Sequence, residues 1–371
     1  MPTLRSALAL LLVAMGAGGT HAVPDDVPGP EGLLPDAGGW DLVSPDGVSG
    51  GRSDAYRAAS EYSRRHGGLA LVVVKDNTIL FEEAENGFEL DRAHHLWSGT
   101  KTFTCALALA AEADGKLGLE ATLGETLGSL LPGGPSDRRA SLTVRDLLSL
   151  TSGLWESGAI LTTDMLRAHP QVLDKEAWTL REITAVYRPG ERFRYAASPF
   201  VMFSLMARKA LGEDPVDYLA RRVLTPIGLR QAGWLRDGAG HAWWSFGAYT
   251  TARGWARFGM LLRDDGAFRG QRILPAGAVA KCFQGSAAMP AYGLGIWLNR
   301  PAKELLLPPV LHGRFASQGP ILLPGGPTDL VAAVGYADNR LYIIPSRGLV
   351  IVRYGKGHPG FEDAALLSRL L

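Results

Sequence analysis

Runs with strand character sit at the two ends of this chain, and nearly everything between them reads as helix. Near the start, Leu69–Val74 is a β-branched apolar run, Asp76-Asn77 is a turn pair, and Thr78–Glu83 returns, which makes a β-hairpin. Near the end, Tyr292–Leu298, Ala332–Tyr336, Arg340–Pro345 and Leu349–Tyr354 have the same short, bounded character. Between them, residues 98–116 carry a helical apolar period, with Leu107, Leu109, Ala111 and Leu117 as core candidates and Gly115 as a stop signal. Thr143–Leu150, Ser198–Leu211, Pro215–Leu224 and residues 252–264 also read as helices, with Thr143 and Thr251 placed as N-caps. Further helices are expected at residues 53–65 and 362–371. Short strands need partners. The simplest arrangement is an α/β (α+β) fold in which one antiparallel sheet, built from both chain ends, is flanked by helices. A mainly helical subdomain, about residues 118–240, is inserted between the two halves of the sheet.

The chain has 371 residues, 46% of them hydrophobic and 20% charged, which is enough for a sizeable core and argues against disorder. A formal charge of +1 gives no basic excess of the kind a nucleic-acid binder shows. Residues 1–22 combine Arg5, an apolar run over Ala7–Ala14 and a small residue at Ala22, as in a secretory signal cleaved near Ala22. The expectation is a secreted or periplasmic protein. Residues 23–52, rich in Pro, Gly and Asp, form an extended N-terminal segment, and residues 53–371 form the folded domain. No other stretch is apolar enough to span a bilayer, so no stable membrane insertion is expected. Two cysteines exclude a disulfide-dense scaffold. Cys105 falls on an apolar helical face, so a buried free thiol is the expectation, with pairing to Cys282 left open.

The sharpest local feature is Leu96-Trp97-Ser98-Gly99-Thr100-Lys101-Thr102-Phe103. Ser98 and Lys101 are three apart at a helix start, so their side chains share a face. The helix N-terminus favours a developing oxyanion and disfavours an ammonium, which lets the lysine take the serine proton. The spacing alone is weak. With 20 serines and 8 lysines, chance supplies roughly 0.4 such matches. His94-His95 with Asp91 is not a metal pattern, because adjacent residues point apart, and a solvated turn is expected there. Trp234 and Trp243-Trp244 are expected as core or lid packing rather than as a substrate wall.

Five stretches, in order, resemble the serine β-lactamase-related hydrolases: class C β-lactamases, D-Ala-D-Ala carboxypeptidases, and the esterases and amide hydrolases of the same fold. They are Leu96–Phe103, Leu142–Leu154, Pro189–Tyr195, Phe246–Leu262 and Tyr342–Val352. The resemblance implies a β-lactamase/penicillin-binding-like fold and an acyl-enzyme on Ser98, with Lys101 and Tyr195 moving protons. It places the third motif at Tyr336-Ala337-Asp338-Asn339, on the strand lining the site, with backbone N–H groups of Ser98 and about Asn339 as the oxyanion hole. Two departures stand out. Ala197 replaces the Asn or Ser two residues after the tyrosine. Tyr336, Ala337 and Asp338 replace a basic residue and two glycines. The loss of the basic residue removes an anchor for a substrate carboxylate. An ester or amide hydrolase is therefore expected ahead of a β-lactamase or a D-Ala-type carboxypeptidase. A catalytically silent penicillin-binding-like protein is the alternative. The partner implied is a small-molecule ester, amide or peptide, without metal or cofactor, and the oligomeric state is unknown.

Overall fold

A computed structural model describes residues 38–42, 50–155, 174–302 and 321–371; the expected signal segment, residues 1–22, and most of residues 23–52 lie outside them. The strands of the two larger sheets are β1 (Asp41–Leu42), β2 (Gly68–Lys75), β3 (Thr78–Ala84), β4 (His94–His95), β5 (Gln231–Trp234), β6 (Ala248–Thr250), β7 (Trp297–Leu298), β8 (Val331–Val334), β9 (Arg340–Ile344) and β10 (Leu349–Gly355). Seven of them form one sheet in the order β1-β3-β2-β10-β9-β8-β7. All neighbours are antiparallel except β1 and β3. The first chain end thus meets the last where β2 pairs with β10, with Val73 opposite Ile351 and Val74 opposite Val350. A three-stranded sheet, β4-β6-β5, stands apart.

Alternation along β2 explains why the sheet is covered twice. Ala70, Val72 and Val74 enter the main core, while Leu71 and Val73 enter a second core on the opposite face. With both faces apolar, each needs a helical layer. One layer is α1 (Gly50–Arg65) with the C-terminal helix Asp363–Leu370, which supply Tyr56, Ala59, Leu366 and Leu367 to the second core. The other contains α2 (Thr102–Ala113) and α3 (Ala252–Arg263). Gly259 lets α3 lie on the sheet, since a Cβ there would sit 2.6 Å from Val350 and 2.8 Å from Leu341. The expected N-caps are present: Thr143 forms a capping box with Asp146, and Thr251 accepts from Gly254 N–H.

Three expectations need correction. Of Tyr292–Leu298 only Trp297–Leu298 is strand, because Gly295 has φ +78 and the chain folds back so that Tyr292 bridges to Trp297. Cys105 and Cys282 form a disulfide, with Cα atoms 6.0 Å apart, rather than leaving Cys105 a free thiol. A separation of 177 residues hides that proximity from the sequence. His94-His95 is strand β4, not a solvated turn: His95 is buried, bonded to the Phe246 carbonyl and stacked on Tyr249. Burial holds its imidazole down at about 3, so it is neutral at working pH. Trp234 and Trp244 are core residues as expected. No helix among the described residues is long and apolar enough to cross a membrane.

Candidate active site

Residues Trp97–Lys101 form a 3₁₀ turn that runs directly into α2. Every residue of α2 from Thr102 to Ala111 is buried, so the helix is a fixed rod in the core and the turn ahead of it is held in place. Gly99 is required here, because a Cβ would lie 2.7 Å from the Trp255 ring. Lys101 is buried, and its Nζ donates to Ser98 Oγ at 3.0 Å and to the Ser245 carbonyl at 2.6 Å. The same Nζ lies 4.9 Å from the centre of the Tyr195 ring and 5.4 Å from that of Phe200.

Tyr195 arrives from the other side, on the stretch leading into the helix Ser198–Leu211. Its phenol sits beside the Ser98 hydroxyl, which lowers its pKa. Trp297 stacks on its ring at 5.8 Å and Tyr292 meets it edge-on at 6.1 Å. Burial pushes the phenol up to about 12, against the Ser98 hydroxyl, which pulls the other way. Ser98, Lys101 and Tyr195, named from the sequence, are therefore brought together, with Lys101 bonded to Ser98 and the Tyr195 ring beside its nitrogen.

The third-motif residues are placed differently from expectation. They lie not on a strand but in the turn between β8 and β9, where Tyr336–Asp338 is a 3₁₀ turn. Ala337 and Asp338 have φ of +58 and +64, which ends the ladder. The turn faces the nucleophile segment: Gly335 packs so closely on Leu96 that a Cβ would sit 2.2 Å from its carbonyl. Tyr336 is exposed and meets the Trp97 ring edge-on at 5.3 Å. The Asp338 side chain turns inward to the His358 N–H at 2.9 Å and Arg340 at 3.6 Å, so it is not a substrate contact. The Asn339 side chain is buried, donating to the Tyr336 carbonyl at 2.8 Å and accepting from Gly355 N–H at 3.1 Å. Its backbone N–H lies 3.5 Å from the Tyr336 carbonyl, at the weak limit of a hydrogen bond.

Ser245, Tyr292 and Trp297 were not legible as site residues. Ser245 acts through a backbone carbonyl, which no side-chain pattern reveals. The two aromatics reach Tyr195 across about a hundred residues of chain. Ala197 packs with Trp243, Leu235 and Phe246 in a small apolar cluster, so the position two residues after Tyr195 offers an apolar surface where the resemblance places a hydrogen-bonding side chain. Ser198 is fully buried as the first residue of its helix. Among the described residues one group, Asp174, Asp237 and His241, has metal-ligating chemistry. Lys175 Nζ already stands 3.4 Å from the Asp237 carboxylate, which supplies the positive charge there.

The beta-lactamase family profile matches residues 53–371. This chain belongs to the beta-lactamase family. A D-aminopeptidase from Brucella anthropi is 28% identical over 184 residues, 46% of this chain and 34% of that protein. The match thus spans about a third of that relative's length. Among solved structures, a candidate 6-aminohexanoate-dimer hydrolase from Bacillus anthracis superposes with a TM-score of 0.66 at 18% identity, covering 92% of this chain and 88% of that one. A D-stereospecific amidohydrolase from Streptomyces sp. superposes with a TM-score of 0.60 at 17% identity, covering 85% and 96%. At these identities the two structures establish the fold. The beta-lactamase/penicillin-binding-like fold thus stands on both sequence and structure, and the hydrolase class rests on the family match.

Proposed function

We propose that this beta-lactamase-family hydrolase is an exported serine hydrolase that cleaves an ester or amide through an acyl-enzyme on Ser98. The observation that carries the reading is the hydrogen bond of 3.0 Å from Lys101 Nζ to Ser98 Oγ, with the Tyr195 ring 4.9 Å from that nitrogen. In this scheme Ser98 Oγ attacks the carbonyl carbon as its proton passes to the Lys101–Tyr195 pair. The carbonyl oxygen becomes an oxyanion beside the backbone N–H of Ser98 and the third-motif turn near Asn339. The tetrahedral intermediate then collapses, the leaving alcohol or amine takes a proton from the pair, and water hydrolyses the acyl ester.

The exposed phenol of Tyr336 and the apolar Ala197–Trp243–Phe246 cluster support an uncharged, partly apolar substrate over one anchored by a carboxylate. That ranks an ester or amide hydrolase ahead of a β-lactamase or D-Ala-type carboxypeptidase. The Cys105–Cys282 disulfide supports export, since such bonds persist in oxidising compartments.

An active-site serine probe tests the reading. The purified protein is incubated with a fluorophosphonate, and separately with a labelled penicillin, and adducts are mapped by mass. The fluorophosphonate is expected on Ser98, and Ser98→Ala is expected to lose both the adduct and p-nitrophenyl ester hydrolysis. A folded protein that takes up neither probe would sink the nucleophile assignment and leave a silent ligand-binding protein.

A further inference from the structure

Two consecutive residues without glycine's freedom hold left-handed backbone in the turn that faces Ser98. Ala337 lies at φ +58 and Asp338 at φ +64. Such conformations persist only where the surroundings over-determine them. The surroundings here are specific. The Ala337 carbonyl accepts from Gly357 N–H at 3.0 Å. The Asp338 carbonyl accepts from Arg353 Nη1 at 2.8 Å, and its carboxylate accepts from His358 N–H at 2.9 Å. Arg340 closes the turn from beneath, with Nη1 donating to the Gly335 carbonyl at 3.0 Å and to the Asn339 carbonyl at 2.9 Å.

The two guanidinium groups are themselves fixed. Arg340 is buried and pairs with Asp363 at 2.6 Å, which also accepts from the Tyr342 hydroxyl at 2.6 Å. Arg353 is buried and donates to Ser63 Oγ at 3.1 Å and to the His66 carbonyl at 2.6 Å. The turn is thereby tied to α1, to the C-terminal helix and to the segment after β10. On its outer side it bears directly on the nucleophile segment, through Gly335 on the Leu96 backbone, Tyr336 on Trp97, and Asn339 Nδ2 on the His95 carbonyl at 3.4 Å.

We propose that Asp338 is a positioning residue: its inward carboxylate, clamped by the His358 N–H and Arg340, holds the Gly335–Asn339 turn in left-handed backbone and so sets that turn against the segment carrying Ser98. The clamp does the work that glycine would do passively, and it does so with a defined rest position. Its catalytic consequence rests on the serine-hydrolase reading above; its structural consequence does not.

The experiment compares Asp338→Ala, Asp338→Gly and Asp338→Asn in the full chain by hydrogen exchange and by kinetics with p-nitrophenyl butyrate. Alanine removes the clamp and keeps the backbone strain. Glycine removes the clamp and the strain. Asparagine tolerates left-handed backbone and keeps an acceptor for the His358 N–H. Amides of residues 335–339 and of residues 95–98 are expected to exchange at least tenfold faster in the Ala and Gly variants, and less than threefold faster in Asn. kcat is expected to fall at least tenfold in Ala and Gly with KM within twofold, and to fall less than threefold in Asn. A glycine variant with wild-type exchange in both segments would overturn the proposal, because backbone freedom alone would then suffice. So would an alanine variant that disturbs residues 335–339 and leaves residues 95–98 untouched. The exchange pattern is read whether or not the protein turns over ester. A wild type that fails to label at Ser98 yet shows the pattern therefore defeats the nucleophile reading and keeps the clamp.

Discussion

Lys101 bonds Ser98 Oγ and Tyr195 stands beside the pair, and the position of the phenol's pKa divides the work between them. Burial pushes Tyr195 up to about 12, so at neutral pH it is an uncharged phenol that can donate a proton but is a poor resting base. The proposed scheme therefore has Lys101 relieve Ser98 of its proton, with Tyr195 as relay and as donor to the leaving group. Tyr195→Phe is expected to lower kcat by about 10²–10⁴-fold, the usual range for one positioned acid or base. It should also leave the shape of the kcat/KM profile between pH 5 and 10 unchanged, because the group it removes does not titrate there. If the wild type shows an acid limb near neutral pH that disappears in Tyr195→Phe, Tyr195 is working as a phenolate and this division of labour is wrong.

At the scale of elements, what was legible followed from periodicity and from capping chemistry. The β-branched apolar run Leu69–Val74 and the Thr-capped helices were readable because their patterns are local. β4 was not, since a two-residue strand leaves no period, and the buried pairing of His95 with Tyr249 depends on β6, more than 150 residues later. The third-motif turn was located by the family resemblance, but its backbone is a turn and not the expected strand. Nothing in Tyr-Ala-Asp-Asn announces two left-handed residues, and the buried arginines that hold them come from β9 and β10. Glu85, just past β3, belongs to the same kind of hidden network. It accepts from Ser60 at 3.0 Å and Ser63 at 2.8 Å, both on α1, and burial raises its carboxyl to about 7. A carboxyl with a raised folded pKa stabilises most below its unfolded value near 4.5, and that contribution is lost as pH rises through about 7. Glu85→Gln mimics the protonated form. It should leave stability nearly unchanged at pH 4.5 and raise it by up to about 3 kcal/mol above pH 7.5. Urea unfolding of both proteins across that range measures the difference, and a difference that does not grow with pH would show that Glu85 is not protonated in the fold.

At the scale of the molecule, the sheet is closed by strands from opposite chain ends, and the helical middle must stay in register with it for the site to exist. The disulfide bears on that requirement. Cys105 lies on α2, one turn past Lys101, and Cys282 lies at the start of the segment that carries Tyr292 and Trp297 to Tyr195. The same segment docks on the nucleophile turn, with Thr102 Oγ1 donating to the Gly295 carbonyl at 3.2 Å. The crosslink therefore joins the element holding the serine–lysine pair to the element enclosing the tyrosine, across 177 residues of chain. A loop of that length removes considerable entropy from the unfolded state, and the chain-entropy account assigns it about 5 kcal/mol. The double variant Cys105→Ala/Cys282→Ala is expected to lose that much stability in equilibrium unfolding. At temperatures where it remains folded, it should keep fluorophosphonate labelling at Ser98, because Thr102, Gly295 and the buried face of α2 still hold the two elements together. A thiol assay on the denatured, unreduced protein decides the premise directly: no free thiol is expected, and two would mean that the cysteines do not pair. Labelling that collapses in a folded double variant would instead show that the crosslink, rather than the packing of α2, keeps the nucleophile in place.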